Sequence, residues 1–165
     1  MTQSRTMIHF PDGTRRFNFR VAGVALRAGH VLVCREDDDD FTMLPGGRVE
    51  IGEPSGVALA REIGEELKCA GDIGRLLFTA ENFFHLKNEE FHQVALYYAL
   101  SLPESFPFLT EGPSFISHDE GHELTFSWVP HEPAALAGFN LLPAWLYPRF
   151  ADLPLASEHV IVDER

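Results

Sequence analysis

The sequence is poor in cysteine and in positive charge, and it has no long apolar run. Its two cysteines, Cys34 and Cys69, stand far apart and in no CxxC pairing, so neither a disulfide framework nor a zinc site is indicated. Each reads most simply as a small buried apolar residue. Lysine and arginine number 13 against 25 aspartates and glutamates, for a formal net charge of −12. That balance argues against stable nucleic-acid binding, which depends on basic surface displacing counterions. A small anionic substrate stays open, because bound divalent cations reverse the local sign of a site. No stretch approaches the length of a membrane span, and the opening MTQSRTMIHFPDG lacks the apolar core of a signal peptide. Membrane partners are therefore not expected, and a reducing cytoplasm is the default location.

What is present is globular in character. The chain has 165 residues, 45% apolar and 23% charged, without repeats or low-complexity segments, which suits one domain over 1–165 with a substantial core. Residues 1–15, with a Pro-Asp-Gly turn signal, are expected to form a loose lead-in. From Phe17 the pattern is strand-like: FNFRVAGVAL, a turn at Ala28-Gly29-His30, then VLVCR, read as a hairpin. The acidic run Glu36 to Asp40 that follows is most simply a solvated loop. Beyond Gly71, RLLFTAENFFHL and FHQVALYYALSL flank a polar turn at Lys87-Asn88-Glu89 and form a long aromatic-rich hairpin. Pro103 to Asp119 reads as an extended loop, Glu123 to Pro130 as a strand, and Pro133–Gly138 and Pro143–Phe150 as short helical segments. HVIV near the end is a last short strand or a docked tail. Strands around one strong helix, with helices at the end, indicate a mixed α/β sandwich.

That helix lies within Leu44 to Cys69, LPGGRVEIGEPSGVALAREIGEELKC. Pro54 suits the first helical position, and Glu53 complements the positive helix start. Gly56, Leu59, Ala60, Ile63 and Leu67 fall on one core-facing stripe. Glu62, Glu65 and Glu66 then occupy an adjoining arc of roughly 100°. Three acids so close repel one another, and a cation among them removes the difficulty. Glu62 and Glu66, at i and i+4, can converge on one magnesium ion, and Glu65 can reach a second ion or a bound water. The Gly46-Gly47 turn lets backbone approach the same place. Such a site suits hydrolysis of a diphosphate linkage, in which metal neutralises phosphate and acidifies water while a carboxylate takes the proton.

From Gly47 the order is glycine, five residues, Glu53, seven residues, Arg61-Glu62-Ile63, one residue, Glu65-Glu66, preceded by Leu44-Pro45-Gly46. This resembles the Nudix box. Where the family's box continues with any residue, a glycine and an aliphatic, this chain has Leu67, Lys68 and Cys69. The missing glycine bears on how the helix ends, not on the carboxylates. The resemblance implies a Nudix-type α/β/α sandwich around a mixed β-sheet. It implies a Mg²⁺- or Mn²⁺-dependent hydrolase of a nucleoside diphosphate linked to another moiety, such as a nucleotide, a nucleotide sugar or an ADP-ribose-like molecule. Glu62, Glu65 and Glu66 would be metal ligands together with the Gly46 carbonyl, and Glu53 with Arg61 a structural ion pair. Glu65 is the first candidate for the general base, with Glu120 or Glu123 next. The resemblance leaves room for a homodimer. A non-catalytic nucleotide sensor is the alternative, usually marked by lost box carboxylates, and none of the three is lost here. An isoprenoid diphosphate isomerase would need an acid–base residue facing the metal, a role for which Cys69 is a poor candidate.

Other residues have two readings each. Arg48 is a surface ion-pair partner or a phosphate contact. Phe83 and Trp128 are strand core or a base-stacking platform. Glu81 and Asn82, interrupting an apolar run, are surface or pocket lining. His118 and His122 have i,i+4 spacing but no third ligand for zinc.

Overall fold

The expected lead-in is largely built into the fold. The computed structural model describes residues 5–165, so residues 1–4 of that segment lie outside the described residues. Met7 bridges to Glu50, and strand β1 (His9–Asp12) turns at Gly13, with φ +62°, into β2 (Arg15–Val24).

The hairpin expected between FNFRVAGVAL and VLVCR forms only at its tip. Strand β2 runs parallel to β7 (Glu89–Ser101), and the chain then leaves this sheet. Only the short β3 (Leu26–Arg27) turns back on β4 (His30–Glu36), in a second sheet. The reason lies in the run itself: Val21, Ala22, Val24 and Ala25 are all buried. Consecutive buried apolar residues mark a strand covered on both faces, as parallel strands are.

The remaining elements are β5 (Gly46–Arg48), α1 (Ser55–Leu67), β6 (Asp72–Leu86), β8 (Phe115–Asp119), β9 (His122–Pro130), α2 (Pro133–Gly138), a 3₁₀ helix (Ala144–Arg149) and β10 (Glu158–Asp163). Six strands form a mixed sheet in the order β1-β2-β7-β6-β10, with β5 also paired to β2; β3-β4-β9-β8 form the second, antiparallel sheet. Strand β8 occupies the end of the segment expected to be loop. The β6–β7 hairpin turns on Lys87 and Asn88, both at positive φ, the geometry that suits two-residue hairpins; Glu89 already belongs to β7.

Helix α1 packs on one side, where Ala58, Leu59, Ile63 and Leu67 meet Val21, Leu32, Phe126 and Trp128. On the other side Leu136 of α2 and Leu146 of the 3₁₀ helix meet Ala22, Val31, Phe78 and Tyr97. The result is a mixed α/β arrangement with helices on both sides of the strands. Among the described residues no helix is long and apolar enough to cross a membrane.

Helix α1 begins one residue later than the sequence suggests: Pro54 has extended geometry and is the cap. It ends at Lys68 in the left-handed region, φ 54° and ψ 28°. A side chain there is strained where glycine is not. The Lys68 ammonium offsets some of this by donating to the carbonyls of Glu65 and His118. Lys68→Gly is therefore expected to stabilise the fold by about 0.5–1 kcal/mol, read as a higher urea midpoint at unchanged slope.

Candidate functional site

Strand β5 pairs antiparallel to β2, setting Gly46 opposite Ala22 and Gly47 opposite Val21. At Gly46, with φ +148°, a Cβ would overlap the Val21 carbonyl oxygen; at Gly47 it would overlap the Glu62 carboxylate. Glycine at both places thus lets a strand lie directly on the flank of α1. Gly47→Ala is expected to push Glu62 aside and destabilise by about 1–3 kcal/mol through overpacking, a loss measurable by thermal unfolding.

The helix is rotated relative to the sequence reading. Ala58 is buried and Ala60 exposed, so Glu62 and Glu66 share the shoulder of the buried face, at 7% and 9% exposure. Glu66 accepts a hydrogen bond from the Gly46 N–H at 3.2 Å, and burial pushes its carboxyl up to about 8. Burial also raises Glu62, although Arg61 lies 2.7 Å away. Two buried carboxylates with so little compensation fit a divalent cation, and an all-oxygen donor set fits a hard one. Glu65 differs from them. Its side chain is 32% exposed and is held by Arg61 at 3.3 Å and Arg5 at 3.0 Å, outside the lining of the cleft that Glu62 and Glu66 border.

Arg61 joins the loop to the helix. Its guanidinium donates to both oxygens of Glu53, at 2.9 and 3.0 Å, and to the Arg48 carbonyl at 3.2 Å. Glu50 lies within 3.6 Å. Hydrogen bonding to Arg61 holds the Glu53 carboxyl below its usual range.

The cleft has a volume of about 570 Å³, ordinary for a small-molecule site. Arg20 and Arg48 border it as cross-strand partners on β2 and β5. Neither makes an ion pair among the described residues; Arg20 donates to the Leu44 carbonyl at 3.2 Å. Burial, and then the charge of Arg20, lower the Arg48 pKa. Like charges directly opposite across strands are unfavourable, and an anion between them relieves it.

Of the residues singled out in the sequence, Gly46, Gly47, Arg48, Glu62, Glu66, Phe83, Glu120 and His122 border the cleft, together with Asn82. Glu123 does not; it is exposed and 3.6 Å from His118. Trp128 is also elsewhere. It is buried against Phe106 and Phe108, with its indole N–H on the Pro107 carbonyl at 2.9 Å. Glu81 pairs with His159 at 2.7 Å.

Sequence reasoning missed Arg20, which only the β2–β5 register brings to Arg48. Nor did it join the acidic run to His122: the ligand atoms of Glu36, Asp37 and His122 all lie within 4.8 Å of one another at the exposed rim. His122 is 2.6 Å from Asp37, which raises the imidazole pKa and lowers that of the carboxyl. The acidic run is thus not merely solvated, but its partner comes from the distant β9, and no local spacing announces it.

A family model described as NUDIX domain matches residues 16–150. No curated protein matches the chain. Among solved structures, a NUDIX hydrolase from Nitrosomonas europaea superposes with a TM-score of 0.61 at 15% identity, over 89% of this chain and 79% of that one. A MutT NUDIX hydrolase from Burkholderia pseudomallei gives 0.52 at 25% identity, over 70% and 84%. An ADP-ribose pyrophosphatase from Streptococcus suis gives 0.51 at 13%, over 87% and 98%.

Proposed function

The chain belongs to the NUDIX domain family, a family of hydrolases, and from that membership we propose that it cleaves the phosphoanhydride of a nucleoside diphosphate linked to another moiety, with water attacking phosphorus. The observation that carries this reading is the neighbourhood of opposite charges in one cleft. Two buried carboxylates, Glu62 and Glu66, border it, and two arginines without ion-pair partners among the described residues, Arg20 and Arg48, face each other on its wall. A bound diphosphate would take its counter-charge from both sides. A pyrophosphatase acting on ADP-ribose is among the structural relatives, which is consistent with a substrate of this class.

Glu62 and Glu66 would hold the cation, Mg²⁺ or Mn²⁺, with the Gly46 carbonyl beside them. When bound, such an ion supplies charge neutralisation at phosphate and a more acidic water. Arg20 and Arg48 orient the anhydride and bear the charge that grows on its oxygens. Glu120, in the β8–β9 turn at the cleft, is better placed to take the proton from the attacking water than Glu65, which Arg5 and Arg61 engage. Glu65 would be a ligand only if its contact with Arg5 were given up. Glu53 and Arg61 keep loop and helix together.

The test is a panel of nucleoside diphosphate derivatives incubated with Mg²⁺ in ¹⁸O-water, the products being weighed by mass spectrometry. One ¹⁸O in a phosphate-bearing product is expected. Binding without turnover across the whole panel would favour a nucleotide sensor and overturn the proposal.

A further inference from the structure

A row of three carboxamides crosses the floor of the cleft. Asn18 on β2 is the register partner of Gln93 on β7, and Gln93 is the partner of Asn82 on β6. Register partners point to the same face of a sheet, and all three residues border the cleft. They are 7%, 9% and 3% exposed, in that order.

Buried carboxamides are ordinarily satisfied by hydrogen bonds, and two of these three carry an atom that is not. The Asn18 Oδ1 and the Asn82 Nδ2 are buried without a partner. The orientation of Asn82 is determined by its neighbour: the Trp145 indole N–H, which can only donate, lies 3.3 Å from the Asn82 Oδ1. The amide nitrogen is therefore the free end. It has two N–H donors, so the nearby Tyr97 hydroxyl could satisfy only one. Leaving such groups buried and unpaired costs about 1–3 kcal/mol each, a cost a ligand with matching polar groups removes.

The surroundings fit a flat, partly apolar ligand. Phe84 and Phe91, stacked at 5.1 Å, border the same cleft with Met43, Leu142 and Val162. Along β2 the floor passes from Asn18 to Arg20 and then to Ala22, which pairs with Gly46. Alternate strand residues lie about 6.8 Å apart, so one groove offers in sequence an amide row, an arginine pair and the buried carboxylates.

We propose that Asn18, Gln93 and Asn82 read the hydrogen-bonding edge of the substrate's nucleobase and set base preference, an inference that rests on the anhydride-cleaving reading of the same cleft. Asn82 donates to a ring or exocyclic acceptor, Asn18 accepts from a donor, and Gln93 between them does either. The base lies against the apolar wall while the anhydride reaches Arg20 and Arg48.

The experiment compares the parent chain with Asn82→Leu and Gln93→Met on four nucleoside diphosphate derivatives that differ only in base, and on a base-less ribose diphosphate counterpart. A site built to bond polar groups rejects ligands that lack them, so parent kcat/KM is expected to differ between bases by about tenfold or more. Each variant should raise KM for the preferred base about tenfold and flatten the preference, with a much smaller effect on kcat and on the base-less compound. Trp145→Phe, which frees the Asn82 amide to turn over, should also flatten the preference. Equal parent kcat/KM for all four bases, or an undiminished preference in the variants that fold, would overturn the inference while leaving hydrolysis intact. If nothing on the panel is cleaved, the hydrolase reading fails separately. Calorimetry with the four nucleoside monophosphates then decides the row: selective binding lost in Asn82→Leu supports it, and unselective binding overturns it.

Discussion

Glu66→Gln should lower kcat by roughly a thousandfold or more, the equivalent of about 4 kcal/mol of lost transition-state stabilisation, and yet make the metal-free protein more stable above neutral pH. The two effects have one cause. In the absence of a cation, burial pushes the folded-state carboxyl up to about 8 from an ordinary value of 4.5. Between those two pH values the folded chain keeps a proton that the unfolded chain has lost, so stability falls as pH rises through the window. Each pKa unit corresponds to about 1.4 kcal/mol, and the penalty above pH 8 is on the order of a few kcal/mol. Glutamine has no proton to lose, and its amide oxygen can still accept from Gly46. Urea unfolding in EDTA at pH 5 and pH 9 should show the parent losing more stability than the variant, which keeps only the raised Glu62. Adding Mg²⁺ at pH 9 should restore the parent far more than the variant. Parental activity in Glu66→Gln, or parallel pH curves for the two proteins, would remove Glu66 from the proposed metal site.

Arg61→Ala should produce the largest loss of stability, about 3–5 kcal/mol, the range for removing one partner of a buried charge pair. The guanidinium is 19% exposed and serves Glu53 through two hydrogen bonds, Glu62 through one, and the Arg48 carbonyl through another. Its removal leaves Glu53 and Glu62 without their counter-charge, while Glu50 keeps Arg5 at 2.5 Å. Because Glu53 is then the group left uncompensated, Glu53→Gln in the Arg61→Ala background should recover part of the loss. A double-mutant cycle measured by urea unfolding detects this as strong coupling; additive effects would mean that the pair does not join loop to helix.

The sequence was most readable where chemistry is local. One helix carries Glu62, Glu65 and Glu66, and the Gly46-Gly47 turn lies a fixed distance before it, so their closeness follows from spacing alone. The rotation of that helix was harder to read. Ala58 and Ala60 are equally small, and only packing against Val21 and Phe126 decides which is buried, and hence which glutamates turn inward. The two readings of Trp128 stayed open for a related reason, since alternation along β9 indicates two faces but not which of them borders the cleft, and the structure puts Trp128 in the core. The β2–β4 hairpin was legible only at its tip because a chain that changes sheets after Val24 looks locally the same as one that folds back. Arg20, Asn18 and Gln93 had no signal of their own. Asn18 meets Gln93 only through the parallel pairing of β2 with β7, and Arg20 meets Arg48 only through the β2–β5 register, neither of which a short window of sequence contains.

That parallel pairing also bears on the order in which the protein is made whole. β2 and β7 are separated by two sheet crossings, the box helix and strand β6, so closing their ladder must wait on most of the chain. The cleft has one wall on each side of this ladder, and β10 adds Val162 beside β6. Partly folded forms can contain helix α1 and the β6–β7 hairpin and still have no cleft floor. During refolding, catalytic activity should return later than helical circular dichroism, reporting the last long-range contact to close.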